Sequence, residues 1–371
     1  MTNLPIPPVA DGTHVLVTGG AGFIGSHIVD ALVAGGAAVT VLDSLDPQAH
    51  AEAPDYLNSG ATYQWGDCRD ADAWAGALDG VTAVCHQAGK VGLGVDFGDV
   101  DDYVSQNDVG WAVGLRALHD RNFVGRIVLA SSMVVYGEGR YRCANHGIVA
   151  PGPRRAEDLS DGRFEPPCPH CDEDLTSEEV PEDAALDPRN VYAATKLHQE
   201  HLLAPFAREH EVSSVALRYH NVYGPRMPRN TPYAGVASIF RSAFEDGRAP
   251  FVTEDGRQRR NFVHVRDVAA ANLAALFAAG LANGSFVACN VASTQPRTVG
   301  DMANELARAF GSAPGDDLWP QVTGGFRLGD VRHVFAATER AERVLGFRST
   351  VTFADGMAEF ATAALRRPVM R

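Results

Sequence analysis

The run YAATK places a phenol at Tyr192 and an ammonium at Lys196. On a helix an i, i+4 pair projects from one face. A cation beside a phenol favours the phenolate and lowers a pKa that is about 10 when unperturbed. That would make Tyr192 a general base usable near neutral pH. Taken alone, such a pair is common on solvated helix surfaces. Ser132, the last residue of the apolar run RIVLASS at 126–132, adds a hydroxyl. It falls where open α/β sheets place reactive groups, outside the carboxyl ends of their strands.

Four further ligating side chains lie between these elements. Cys143-x-x-His146 and Cys168-x-x-Cys171 are two pairs separated by 21 residues. Each spacing lets a tight turn offer two ligands to one ion, and three thiolates with one imidazole suit tetrahedral zinc. His170 is a rival fourth ligand, but between two ligating cysteines it would strain the loop. Four protein ligands close the coordination sphere, so the zinc expected here is structural. Cys68, Cys85 and Cys289 stand apart in apolar or strand-like surroundings and read as free thiols.

The run VLVTGGAGFIGSH offers a dinucleotide site. Gly19, Gly22 and Gly25 fall between a strand and a helix, where glycines permit a tight turn, close approach to a pyrophosphate and close helix–strand packing. The backbone at Phe23 and Ile24 opens that helix, whose N-terminus favours phosphate. Asp43 ends the second strand, where a carboxylate accepts both ribose hydroxyls and repels a 2′-phosphate. No arginine follows it, so the cofactor expected is NAD rather than NADP. Asp67 and Cys68, in GDCRD, are placed to touch the adenine edge. Gln87 and Ala88, in HQAGKVG, form a turn that would pass beneath the pyrophosphate.

The elements that must position these residues alternate. Strands are expected at 14–18, 38–43, 82–88, 126–132 and 213–219, with helices at 22–36, 103–121 and 191–210. Near-continuous apolar strands between helices imply a doubly wound parallel sheet of Rossmann type, covered on both faces. We divide the chain into a cofactor domain, 1–220, and a smaller C-terminal substrate lobe, 221–371. Segments near 261–292 return to the main domain, and helices are expected near 233–246, 266–280, 298–311 and 353–366. Residues 138–188 form an insert rich in Pro, Gly and charge.

The chain has 371 residues, with 45% hydrophobic and 21% charged positions, ordinary for a globular protein. A net charge of −14 argues against nucleic acid and anionic membranes as partners. No apolar run approaches the roughly 18 residues of a membrane span, and the first residues lack the pattern of a signal peptide. A cytoplasmic location with reduced cysteines is the expectation.

Six segments occur in a telling order: TGGAGFIG (18–25), ASSMVVYG (130–137), YAATK, RYHNVYGP (218–225), RRNFVHVRDV (259–268) and RLGDVRH (327–333). Together they resemble the extended short-chain dehydrogenase/reductase family, specifically its NAD-dependent nucleotide-sugar epimerases, over nearly the whole length. The resemblance implies Tyr192 as acid/base, with Lys196 tuning it and binding the nicotinamide ribose. It implies that Ser132 binds the reacting hydroxyl and Asn221 the sugar or its diphosphate. Arg260 and Arg327 would bind the diphosphate and Asp330 approach the nucleoside ribose. Sugar dehydratases of the family carry an Asp-Glu pair after the Ser/Thr, whereas here Met133 and Val134 can move no proton. That leaves reversible oxidation at C4 through a 4-keto sugar. VLDSLDPQ (41–48), HQAGKVGLGVDF (86–97), SSMVVYGEGRYRC (131–143) and TPYAGVASIF (231–240) resemble a subgroup acting on dTDP-6-deoxyhexoses, and the partner implied is a dTDP- or UDP-hexose. Asn261, Trp111 and Lys90 depart from the common pattern; Trp111 is expected to pack, and Lys90 to add charge near cofactor or substrate. A homodimer through the helices near 103–121 and 191–210 is also implied. The alternatives are a 4-ketosugar reductase consuming NAD(P)H and a silent NAD-bound binding protein.

Overall fold

A computed structural model describes residues 9–50, 52–92, 97–229 and 235–366. Parts of two quoted segments, at 93–96 and 230–234, lie outside the described residues. Seven parallel strands form the main sheet: β1 (His14–Thr18), β2 (Ala38–Asp43), β3 (Thr62–Trp65), β4 (Ala83–His86), β5 (Arg126–Ser132), β6 (Ser214–Tyr219) and β7 (Phe286–Val291). Their order is β7-β6-β5-β4-β1-β2-β3. The chain winds outward in both directions from β1, which pairs with β2 on one side and β4 on the other. The crevice at the carboxyl end of that switch point is where doubly wound sheets bind ligands.

Side-chain alternation explains why the strands read as continuous apolar runs. Val15 and Val17 enter a core with Ile28, Val29, Val41 and Cys85, covered by the helices Phe23–Ala34 and Val265–Phe277. Leu16 points to the other face, with Leu42, Trp74, Val84, Trp111 and Leu203. Both faces are covered, so neither needs polar positions. The strand Phe286–Val291 lies in this sheet although it follows much of the C-terminal half. A separate core of Tyr223, Phe240, Phe262, Met302, Leu306, Met357 and Phe360 packs the remaining C-terminal helices. Among the described residues, no helix is long and apolar enough to cross a membrane.

Two segments differ from the sequence expectation. The helix expected over 103–121 is broken: Val100–Tyr103 and Gly110–Asp120 are α-helical, while Val104–Val109 is a π-turn. The widened turn contains Asn107, whose buried side chain serves partners outside its own helix. The insert, which showed no periodicity, contains a small antiparallel sheet of Gly147–Val149, Arg140–Cys143 and Thr176–Glu178. Its strands are three or four residues long, too short for alternation to register. The insert's two ends meet where Asp187 N–H donates to Val135 O at 2.9 Å. Gly137, at φ +62°, has no room there for a side chain, since a Cβ would lie 2.3 Å from Asp187 O.

Three imidazoles are enclosed by these cores. His86 stacks on Trp111 with centroids 4.3 Å apart, and its Nδ1 meets Thr18 Oγ1 at 2.8 Å. Burial pushes His86, His220 and His264 down from 6.5 to about 3. The rings are neutral in the fold but take a proton once the chain unfolds. Below pH 6.5 the unfolded chain therefore binds more protons, and stability is lost as pH falls from there toward 3. By pH 5 the loss is roughly 2 kcal/mol per ring. The urea midpoint is expected to drop steeply between pH 6.5 and 5; an unchanged midpoint would show the rings already charged inside the fold.

Candidate functional site

The glycine-bearing turn is built by backbone contacts that exclude side chains. Gly19 N–H donates to Leu42 O at 2.8 Å, tying the end of β1 to β2. Gly19 sits at φ +69°, and a Cβ on it would lie 2.7 Å from Ala88 N. A Cβ on Gly25 would lie 2.1 Å from Gly19 O, so the helix Phe23–Ala34 approaches the strand as closely as backbones allow. Gly22 supplies no side-chain cap, leaving the first-turn N–H groups of that helix for a ligand. Phe23 and Ile24 direct their side chains into apolar clusters, so they offer only backbone. Asp43 is buried; its Oδ2 accepts from Ala21 N at 3.0 Å and its Oδ1 from Leu45 N at 2.9 Å. A carboxylate has about four acceptor positions, so two remain for two hydroxyls.

The other expected cofactor contacts fall around this cleft. Asp67 accepts from Arg69 N at 2.8 Å and Nε at 3.0 Å, which folds the GDCRD turn on itself. Cys68 O accepts from Trp74 Nε1 at 2.8 Å, and burial pushes its thiol up. Ala88 N–H donates to Thr18 Oγ1 at 3.2 Å and forms the floor under Gly19. The Gln87 amide turns inward, donating to Asn272 Oδ1 at 3.1 Å and accepting from Tyr219 OH at 3.1 Å.

Ser132, Tyr192 and Lys196 come together where β5 ends against the helix Val191–Glu209. Asn190 starts that helix, its Oδ1 accepting from Ala193 N at 2.8 Å. Tyr192 is half-buried; burial raises its phenol to about 12, although a hydrogen bond with Ser132 pulls the other way. Lys196 is buried and donates to Ala130 O and Gln199 Oε1, both at 3.0 Å. Burial lowers its ammonium to about 8, against the opposing charges of Asp108 and Glu200. The expectation of a phenol lowered by its lysine is thus not met: burial raises it. Desolvation sets the direction, and the Lys196 donors are directed at Ala130 and Gln199 rather than at the phenol.

Other groups that shape this site had no signal in spacing. Asn107, fully buried in the π-turn, accepts from Lys90 N at 2.7 Å and donates to Lys90 O at 3.0 Å and Thr195 Oγ1 at 2.9 Å. Gln199 Nε2 returns to Asn107 O at 2.9 Å. Lys90 pairs with Asp102 and sits 5.2 Å from the Tyr103 ring centroid, and Tyr103 lies 6.1 Å from Tyr192. Below them Glu200 takes a bidentate pair from Arg218 at 3.0 and 2.8 Å, and Ser131 Oγ donates to it at 2.5 Å. Trp111 packs, as expected.

The residues expected at the substrate are more widely engaged. Asn221 Nδ2 donates to Met133 Sδ at 3.4 Å, which places the thioether beside the amide. Arg260 is committed to backbone: it donates to Arg332 O at 2.8 Å and Val331 O at 2.6 Å. Arg327 is exposed. Burial raises the Asp330 carboxyl, and the guanidinium groups of Arg327 and Arg260 pull it back down, so the three share one neighbourhood.

Cys143, His146, Cys168 and Cys171 converge, their ligand atoms all within 4.8 Å of one another. Cys143 Sγ lies 3.4 Å from His146 Nδ1 and 3.6 Å from Cys171 Sγ, and Cys168 Sγ lies 3.6 Å from His146 Nδ1. These thiols are free.

The sequence model of the NAD dependent epimerase/dehydratase family matches residues 15–289. A dTDP-L-rhamnose 4-epimerase of Burkholderia thailandensis is 33% identical over 359 residues, covering 95% of each chain. Thermotoga maritima UDP-glucose 4-epimerase, solved with UDP-glucose, aligns with a TM-score of 0.74 at 25% identity, covering 94% of this chain and 97% of that one. The Thermus thermophilus UDP-glucose 4-epimerase complex with NAD gives 0.72 at 28% identity, covering 94% and 98%.

Asn107→Ala would leave the Lys90 amide and carbonyl and the Thr195 hydroxyl without their shared partner. Urea denaturation should show a loss of about 2–4 kcal/mol, given about 0.5–1.5 kcal/mol for each of the hydrogen bonds removed. A loss below about 0.5 kcal/mol would mean that the turn is held by other contacts.

Proposed function

Because the chain belongs to the NAD-dependent epimerase/dehydratase family, we propose that it inverts C4 of a nucleotide-activated hexose, specifically a dTDP-6-deoxyhexose. The observation that carries the reading is the group Ser132, Tyr192 and Lys196 at the carboxyl edge of the sheet, with a thioether at Met133 where elimination would need an acid. The deoxysugar assignment is supported by the 33% identical dTDP-L-rhamnose 4-epimerase.

The residues present fit NAD. The glycine turn admits no Cβ at 19 or 25, the first turn of the following helix is uncapped, and Asp43 keeps acceptor capacity for two ribose hydroxyls. Held by the glycine turn and Asp43, NAD would supply the hydride acceptor for oxidation at C4 and the hydride source for reduction at the opposite face. Tyr192 removes the proton from the C4 hydroxyl as the C–H bond breaks, and gives it back to the oxygen when the ketone is reduced. Ser132 holds that oxygen beside the phenol. Lys196 supplies positive charge, which a phenol raised to about 12 needs before it can work as a base. The side chain is held there by Ala130 and Gln199.

Two further parts complete this reading. One structural zinc binds Cys143, His146, Cys168 and Cys171. Tetrahedral coordination with Zn–S near ~2.3 Å and Zn–N near ~2.1 Å requires ligand separations of about 3.5–3.8 Å, close to the 3.4–3.6 Å found. The chain also forms a homodimer, supported by Val104 and Val109, exposed at 40% and 46% along one broken helix. Light scattering that returned the mass of a single chain would remove the dimer.

Tyr192→Phe is expected to lower C4 epimerisation by at least about a hundredfold while bound NAD is retained. Activity within roughly tenfold of the wild type would overturn the assignment. A panel of nucleotide sugars without added cofactor, followed by NMR of the product's C4 configuration, tests the reaction itself. Interconversion is the expected result, and strict dependence on added NAD(P)H would indicate a reductase instead.

A further inference from the structure

The insert buries very little of its own. Its core is Tyr141, Cys143, Cys168 and Leu175, and two of these are cysteines of the cluster. So small a core supplies little stability without a metal or other staple. Cys168 nevertheless fixes the local chain: its N–H donates to Glu173 O at 2.8 Å, and Leu175 N–H donates to Pro166 O at 3.1 Å.

Three residues before Cys168, Glu165 reaches across to the C-terminal half. Its Oε1 accepts from Arg332 Nε at 2.9 Å and Nη2 at 2.7 Å. Its Oε2 meets His333 Nε2 at 2.9 Å. His333 Nδ1 accepts from Arg259 N at 3.0 Å, which leaves Nε2 as the nitrogen carrying the proton toward Glu165. Other insert side chains grip the same segment. Tyr141 Oη accepts from His333 N at 3.0 Å, Glu138 from Arg332 N at 2.5 Å, and Arg154 donates to Asp330 O at 2.6 Å. Arg332 is a fully buried cation, also held by Asp255 and Glu254. Arg260 donates to the carbonyls of 331 and 332. The chain from 330 to 333 is therefore clamped between the insert and the strand Arg259–Arg260.

We propose that the zinc-closed insert is a positioning device for the nucleotide diphosphate. Through Glu165 it fixes the segment that carries Asp330 and Arg327 and bears against Arg260. This rests on the zinc and nucleotide-sugar readings above. Zinc sets the path of the chain into Cys168, that path sets Glu165, and Glu165 sets Arg332 and His333. Glu165 is a positioning residue that acts through the arginine and histidine it holds.

The test uses the holoenzyme purified without chelator, its Glu165→Gln variant, and wild-type protein stripped of metal under reducing conditions and then resupplied with zinc. Zinc per chain, bound NAD and calorimetric affinity for dTDP are read on each. Glu165→Gln should keep about one zinc and its NAD but bind dTDP about tenfold more weakly, a factor equal to about 1.4 kcal/mol. Stripping should weaken dTDP at least as much, and zinc should restore it. A variant that holds zinc and binds dTDP within twofold of wild type overturns the proposal. Wild-type protein with well under one zinc per chain defeats the zinc reading and the proposal with it. Wild-type protein that holds zinc but binds no dTDP instead defeats the nucleotide-sugar reading on which the clamp depends.

Discussion

The buried ammonium of Lys196 is the constraint around which the candidate site is organised. Removing such a cation from water costs several kcal/mol unless close partners replace its hydration. The fold answers with the carbonyl of Ala130, the amide oxygen of Gln199, and the charges of Glu200 and Asp108 at longer range. Each partner draws in another element. Ala130 requires β5 to end against the helix that carries the lysine. Gln199 is in turn held by the carbonyl of Asn107, which the π-turn makes available. The widened turn also lets the Asn107 side chain leave its helix and lock the Lys90 loop. Even so, burial wins and the amine falls to about 8. A lysine held there remains cationic near neutrality yet is poised to respond to a negative charge.

A second buried charge system supports the first from below. Arg218 and Glu200 form a bidentate pair, with Tyr136 Oη accepting from the arginine at 3.0 Å and donating to Asn290 Oδ1 at 2.7 Å. Asn290 in turn accepts no slack: its amide donates to Val180 O and Ala337 O, and its N–H donates to Glu182. Such a network adds little net stability over apolar packing, but breaking one member leaves a buried charge alone. Its effect is geometric. It joins β5, β6, β7 and the far end of the insert at one place, directly behind Ser131 and Ser132.

The insert shows how a segment with almost no core is incorporated. Three cysteines and a histidine converge from its two turns, while its exterior forms ion pairs with the C-terminal half. Its ends close on one another at Val135 and Asp187, so it leaves the doubly wound sheet undisturbed. Large insertions are tolerated at such points because the backbone enters and leaves at almost the same position.

The amino-acid sequence by itself determined the elements whose causes are local. Apolar runs covered on both faces, a glycine turn between strand and helix, and the capping residue Asn190 are all properties of short stretches. The cysteine and histidine spacing also belongs here, since a two-residue turn fixes which ligands can meet. Only the tertiary structure decided what depends on burial and on distant partners. The rise of Tyr192 to about 12 follows from desolvation, which no spacing reveals. The inward turn of Gln87, the bulge that frees Asn107 and the commitment of Arg260 to carbonyls arise where separate segments compete for the same hydrogen bonds. The clamp from Glu165 to Arg332 and His333 joins residues 167 and 168 positions apart, a pairing that the folded chain alone creates.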